Sequence, residues 1–167
     1  MDGTPSKFDF GTGKAGNEWR VINDGVMGGL SKGQLNFTSN ALTFKGRVSL
    51  ENNGGFTSLK SPFSSYDFSK KTKFTIRYKL TGQKVAVTLE DSYRFYMPNY
   101  KLTLEKTSGT WKTLEVNMTQ FKVYRMGEPM GGHVTKDILG QIKRVGFISG
   151  EKRAGQFELE VDYMKFE

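Results

Sequence analysis

Apolar and polar residues alternate with a period of two along most of this chain. Leu42, Phe44, Val48 and Leu50 share one parity, while Thr43, Lys45, Arg47 and Ser49 take the other. Phe74, Ile76, Tyr78 and Leu80 alternate with Thr75, Arg77 and Lys79. Val85, Val87 and Leu89 follow after Thr81-Gly82-Gln83, which reads as a hairpin turn. Leu114, Val116 and Met118 form a further run, and Phe157, Leu159, Val161 and Tyr163 alternate with Glu158, Glu160 and Asp162. Successive strand side chains point to opposite faces, so this pattern marks half-buried strands with one face on a core. Only Thr135 to Gln141 reads as a helix, of about two turns. Tyr124 to His133, rich in Gly, reads as the longest irregular connection. The pattern predicts an all-β fold, an antiparallel β-sandwich with at most one or two short helices, as one domain over residues 1–167.

Composition sharpens this. Thirteen Phe, seven Tyr and two Trp supply the large rings that a sandwich core needs, although only 36% of the residues are hydrophobic. There is no Cys, which excludes disulfides, thiolate metal sites and thiol catalysis. No apolar run approaches a membrane span. The net charge of +8 has no tight cluster beyond Lys70, Lys71 and Lys73, so it reads as a solvated basic face and no specific nucleic-acid binding is expected.

Two polar stretches are rich in paired glycines: Trp19-Arg-Val-Ile-Asn-Asp-Gly-Val-Met-Gly-Gly-Leu-Ser31 and Ser49-Leu-Glu-Asn-Asn-Gly-Gly-Phe-Thr-Ser58. Asn and Asp bond their own backbone in turns, so both read as tightly specified loops. Gly11-Thr-Gly-Lys-Ala-Gly16 matches a dinucleotide-binding spacing, but a strand rather than a helix follows it, so it reads as a loop.

In combination and in order, these features resemble the thirty-kilodalton complex I intermediate-associated protein family. The resemblance rests on Trp19 to Ser31 and on Phe44-Lys-Gly-Arg-Val-Ser-Leu-Glu-Asn-Asn-Gly-Gly-Phe56. It continues at Trp111, Phe121, Ile142-Lys-Arg-Val-Gly-Phe-Ile148 and Ala154-Gly-Gln-Phe-Glu-Leu-Glu-Val-Asp162. It implies a galactose-binding-like jelly roll, and mitochondrial members help to assemble respiratory complex I. Such jelly rolls often hold a structural Ca²⁺ at a C-terminal acid, which makes Glu160 and Asp162 the candidate ligands here. For a stand-alone domain a bacterial cytoplasm or periplasm is expected ahead of a mitochondrion, with compartment and oligomeric state left open.

Candidate chemistry is sparse. The single His133 sits in a Gly-rich segment without an evident acidic orienter, and Glu51, Glu90 and Asp91 are the carboxylates near loops. Catalysis is not expected. The expected function is a non-catalytic binding or assembly module acting on a protein partner; the alternative is carbohydrate binding. For the alternative, Asn23, Asp24, Ser31, Glu51, Asn52 and Asn53 supply hydrogen bonds, while Trp19, Phe56, Tyr93 and Trp111 supply ring faces. The same loop residues also suit an architectural role, with Trp19 plugging the core.

Overall fold

The computed structural model describes residues 7–11, 15–23, 29–51, 55–150 and 153–167. Numbered in chain order, its strands form two antiparallel sheets. The six-stranded sheet runs β3 (Lys32–Phe37), β4 (Leu42–Val48), β13 (Gly155–Phe166), β6 (Lys73–Gly82) and β9 (Lys112–Asn117). Its sixth strand, β1 (Lys7–Asp9), also pairs with β13. The seven-stranded sheet runs β11 (Glu128–His133), β10 (Lys122–Arg125), β8 (Asn99–Leu104), β7 (Val85–Glu90), β12 (Arg144–Ser149), β5 (Thr57–Lys60) and β2 (Arg20–Asn23). Among the described residues the one α-helix, α1 (Lys136–Leu139), begins at Thr135, whose hydroxyl accepts from the Ile138 N–H at 3.3 Å. No helix among the described residues is long and apolar enough to cross a membrane.

The alternation forms the core, because Phe44, Ile76, Tyr78, Leu80, Val87, Leu89, Leu159 and Val161 all point between the sheets and are fully buried. Rings link the core from end to end. Trp19 meets Phe10 edge-on with centroids 5.1 Å apart, and Phe68 stacks on Phe166 at 4.2 Å.

Three sequence readings change. Thr81-Gly82-Gln83 is not a hairpin turn, since β6 belongs to the six-stranded sheet and β7 to the other. Leu80 and Val85 both face the core, so a continuous apolar pattern conceals a crossing between layers. Gly82 makes that crossing at a φ of +83°, and the next N–H, Gln83, donates to the Gln156 carbonyl at 2.8 Å. Tyr124 to His133 is not irregular but the β10–β11 hairpin, turned at Met126 and Gly127 with φ of 49° and 83°. Tyr163 does not continue the inward parity of Val161. The register shifts between those two residues, and the Asp162 carbonyl accepts instead from Phe10 and Gly11 at 2.9 and 3.0 Å.

A candidate binding face on the seven-stranded sheet

The strands β5 and β7 are buried on both faces, although only one face meets the other sheet. On the outward side of β7, Ala86 and Thr88 are buried, Thr88 beneath the Lys60 side chain. Strand register puts Arg20, Lys60, Gly146, Thr88, Lys101, Lys122 and His133 in one row across this outer face. A neighbouring row holds Arg144, Glu90, Asn99, Tyr124 and Pro129.

Lys60 lies flat across the sheet. Its ammonium donates to the Thr88 hydroxyl at 3.1 Å and stands 3.3 Å from Glu90. Gly146 permits this, because a Cβ there would fall 2.5 Å from the Leu59 carbonyl oxygen and 2.7 Å from Lys60 Cδ. Glu90 also accepts twice from Arg144, at 2.7 Å from Nε and 3.0 Å from Nη2. Burial pushes the Lys60 ammonium down, and Glu90 beside it restores only part of the loss. Burial alone would raise the Glu90 carboxyl, but Lys60 and Arg144 outweigh it and hold it below its ordinary value.

Rings border this charged floor. Phe63 lies 4.2 Å from the Arg144 guanidinium carbon and packs edge-on against Tyr93 at 5.0 Å. Tyr124 carries the Lys101 ammonium 4.6 Å from its ring centre. The β7–β8 loop is braced rather than slack. The Met97 N–H donates to the Arg94 carbonyl at 3.2 Å, and Arg125 Nε donates to the Tyr96 carbonyl at 3.0 Å. Of the ten large hydrophobic side chains exposed among the described residues, seven lie on the segments bordering this face. They include Phe63, Tyr93 and Phe95, the last 78% exposed. Exposure of that kind on braced backbone makes this border the candidate interaction surface. An open groove of about 420 Å³ lies between Arg20, Ile22, Lys60, Phe63 and Arg144. A larger groove of about 620 Å³ on the six-stranded sheet runs past Lys32, Lys45, Arg47 and Glu158, but its one ring, Phe157, is turned into the core. The ring-bordered face is therefore the stronger candidate.

The residues singled out from sequence are dispersed. Trp19 is in the core against Phe10 and Phe147. Asn23 accepts from the Thr57 hydroxyl, and the Ser31 hydroxyl clamps Ser49, donating to its carbonyl at 3.1 Å and accepting from its N–H at 2.9 Å. That clamp brings the flanks of the two Gly-rich stretches together. Glu51 is exposed beside them, its N–H donating to the Ser49 hydroxyl. Asp24, Asn52 and Asn53 lie outside the described residues. Trp111 is on the opposite outer face, with Arg77 and Lys79 at 4.5 and 5.2 Å from its ring centre. Glu160 and Asp162 share that face, paired with Lys79 at 3.2 Å and Arg77 at 2.9 Å. A metal there would compete with cations already in place. Among the described residues, no three His, Cys, Asp or Glu side chains are grouped as metal ligands. His133 is exposed on β11, with Nδ1 donating to the Val134 carbonyl at 2.7 Å. Asp91 is raised by burial, and its partner Tyr100 is pushed up to about 12, by burial first and then by Asp91. Of Trp19, Tyr93 and Trp111, Tyr93 alone stands at the face described above, and Phe56, just before β5, is half-buried.

A family model for complex I intermediate-associated protein 30 matches residues 8–161. The chain belongs to that family. No curated protein matches it. Among solved structures, it is similar to the family 11 carbohydrate-binding module of a Clostridium thermocellum cellulosomal cellulase. That match has 14% identity and a TM-score of 0.66, covering 98% of this chain and 95% of the other. The same organism's family 11 module in complex with a β-1,3-1,4-mixed-linked tetrasaccharide matches at 14% identity and a TM-score of 0.63, covering 96% and 95%. An agarase matches at 13% identity and a TM-score of 0.61, over 98% of this chain but 25% of its own. At these identities the likeness establishes a shared β-sandwich fold and nothing of the ligand.

Proposed function

We propose that this protein is a non-catalytic binding module that holds its ligand on the outer face of the seven-stranded sheet. The observation that carries this reading is the pairing of a buried polar floor, Lys60-Glu90-Arg144, with exposed rings on a braced border. Glu90 is fully engaged by two cations, which suits a fixed scaffold better than a proton-transferring acid. Membership of the family supports a protein partner in an assembly role, with Phe63, Tyr93 and Phe95 as its anchors.

A second reading is carbohydrate binding on the same face. It is favoured by Asn99, whose Oδ1 is buried and accepts no hydrogen bond from the protein, in register between Glu90 and Tyr124. With the Asn99 amide turned toward the face, a sugar hydroxyl would satisfy that acceptor while a ring covered the sugar's C–H side. The test is to compare native protein with Phe63→Ala/Tyr93→Ala on a glycan array and in quantitative co-purification with membrane-complex subunits. Whichever ligand the native chain takes should be lost by the double variant, with the melting temperature retained. Retained binding by the double variant, with loss instead on substitution of Ser31 or Asn23, would move the site to the Gly-rich loops.

A further inference from the structure

We propose that this outer face takes an acidic glycan, its carboxylates on the row Arg20, Lys60, Lys101 and Lys122 and its sugar rings against Phe63, Tyr93 and Tyr124. The proposal rests on the carbohydrate reading of the same face.

The first argument is charge. The registered strands put five cations on this face, Arg20, Lys60, Arg144, Lys101 and Lys122, and the carboxylates described beside them are Glu90 on the floor and Glu18 at the edge of the groove. Around Trp111 on the opposite face, by contrast, Arg77, Lys79 and Lys73 each stand against a carboxylate. Glu90 is already shared between Lys60 and Arg144. The contacts described for the two ends of the row are to main-chain carbonyls. Arg20 reaches those of Glu18 and Trp19 at 3.2 and 3.3 Å, and Lys122 reaches that of Thr119 at 3.3 Å. A carboxylate is a stronger partner for either cation than a carbonyl. Lys60 and Lys101 are both more than nine-tenths buried, so an anion above them would act through a medium that screens little.

The second argument is shape. From β2 to β10 the row crosses five strand spacings, about 24 Å at roughly 4.8 Å each. A linear chain laid across the strands meets one row position per strand.

The third argument separates a glycan from other polyanions. Asn99 Oδ1 is an acceptor in the floor that takes no hydrogen bond from the protein. Sugar hydroxyls supply donors beside the carboxylates, whereas a DNA phosphodiester backbone supplies none. An acidic peptide would bring carboxylates, but the backbone groups in the middle of this sheet are committed to the ladder, so it could not add as a strand there.

The experiment is calorimetric titration of the whole chain with a short oligogalacturonide, a neutral mixed-linkage glucan oligosaccharide, poly-L-glutamate and oligo-dT. The oligogalacturonide should bind about tenfold or more tightly than the neutral glucan, and salt should weaken it. Arg20→Gln/Lys122→Gln alters two exposed side chains, so its thermal melt should match the native chain while affinity for the acidic sugar falls about tenfold. Tyr124→Ala should weaken both sugars. Equal binding of neutral and acidic sugars, both abolished by Tyr124→Ala, would overturn the acidic class and leave the carbohydrate reading standing. Binding of poly-L-glutamate or oligo-dT without either sugar, or of nothing at all, would overturn both.

Discussion

Glu90→Ala tests whether the charged floor is held by its single carboxylate. The substitution removes both hydrogen bonds from Arg144 and the ion pair with Lys60, whose side chain is 8% exposed. Arg144, at 18%, lies beside the exposed Phe63 ring and can turn toward water. Lys60 lies beneath the face and keeps only the Thr88 hydroxyl. Breaking a buried pair from one side typically costs about 3–5 kcal/mol. An upper bound comes from Lys60 itself, which escapes its buried charge by releasing a proton. From an ordinary value near 10.4, that costs about 4–5 kcal/mol at pH 7. The two figures agree, so a loss of about 3–5 kcal/mol is expected, or roughly 6–20 °C in melting temperature for a chain of this size.

The pH dependence identifies the cause. With Glu90 gone, the folded-state Lys60 value falls further below the unfolded one. The unfolded chain then binds more protons between those two values, so stability rises with pH across that window. The gap between native and variant should therefore narrow from pH 7 to about 9.5. Glu90 itself is held down in the native chain, so its contribution is present above the ordinary carboxylate value and lost as pH falls through the folded one. Urea melts at several pH values measure both effects. A loss below about 1 kcal/mol at pH 7, or a gap that does not change with pH, would refute the account.

Three further outcomes follow from the same structure. Tyr100, pushed up to about 12, keeps its proton after the unfolded chain has lost it near 10; stability should hold below about pH 10 and fall toward 12. Ultraviolet titration of the phenolates beside a melt series checks this, and simultaneous ionisation of all seven Tyr near 10 in the folded state would contradict it. Gly146→Ala should cost about 1–3 kcal/mol in urea melts, since the new Cβ meets the Leu59 carbonyl and the Lys60 stem; no cost would mean that Lys60 does not lie across that glycine. Trp19→Ala should cost about 3–5 kcal/mol as a core truncation, whereas loss of binding with an unchanged melt would restore Trp19 to a ligand site.

The two-layer architecture was legible because sandwich strands write it as parity. Phe44, Ile76, Val87 and Leu159 recur at period two, and each is fully buried. What parity cannot encode is which layer a strand joins. Leu80 and Val85 carry the same inward signature on either side of Gly82, and only the strand pairing, β6 with β13 but β7 with β12, shows that the chain has changed sheets. The bulge at Asp162 was hidden for a related reason, because an inserted residue flips everything after it without altering composition.

The candidate site was illegible for a different reason. Turn chemistry drew attention to Asn23, Ser31 and Glu51, and two of these hold the backbone: Asn23 grips Thr57 and Ser31 grips Ser49. The residues that build the floor come from four separate strands, Lys60 on β5, Glu90 on β7, Lys101 on β8 and Arg144 on β12, and share no spacing in sequence. One local signal existed. Thr57-Ser-Leu-Lys60 and Val85-Ala-Val-Thr-Leu-Glu90 are buried on both faces, and a Lys or Glu at the end of such a strand needs a partner. Their lengths in sequence say nothing of where that partner is, and the pairing of β5 and β7 with the same strand, β12, supplies the answer. Gly146 sits on β12 between them, so the glycine that lets Lys60 cross toward Glu90 is also the residue that no charge pattern would have marked. A face assembled in this way changes its ligand chemistry through single outward positions on separate strands while the inward positions keep the core.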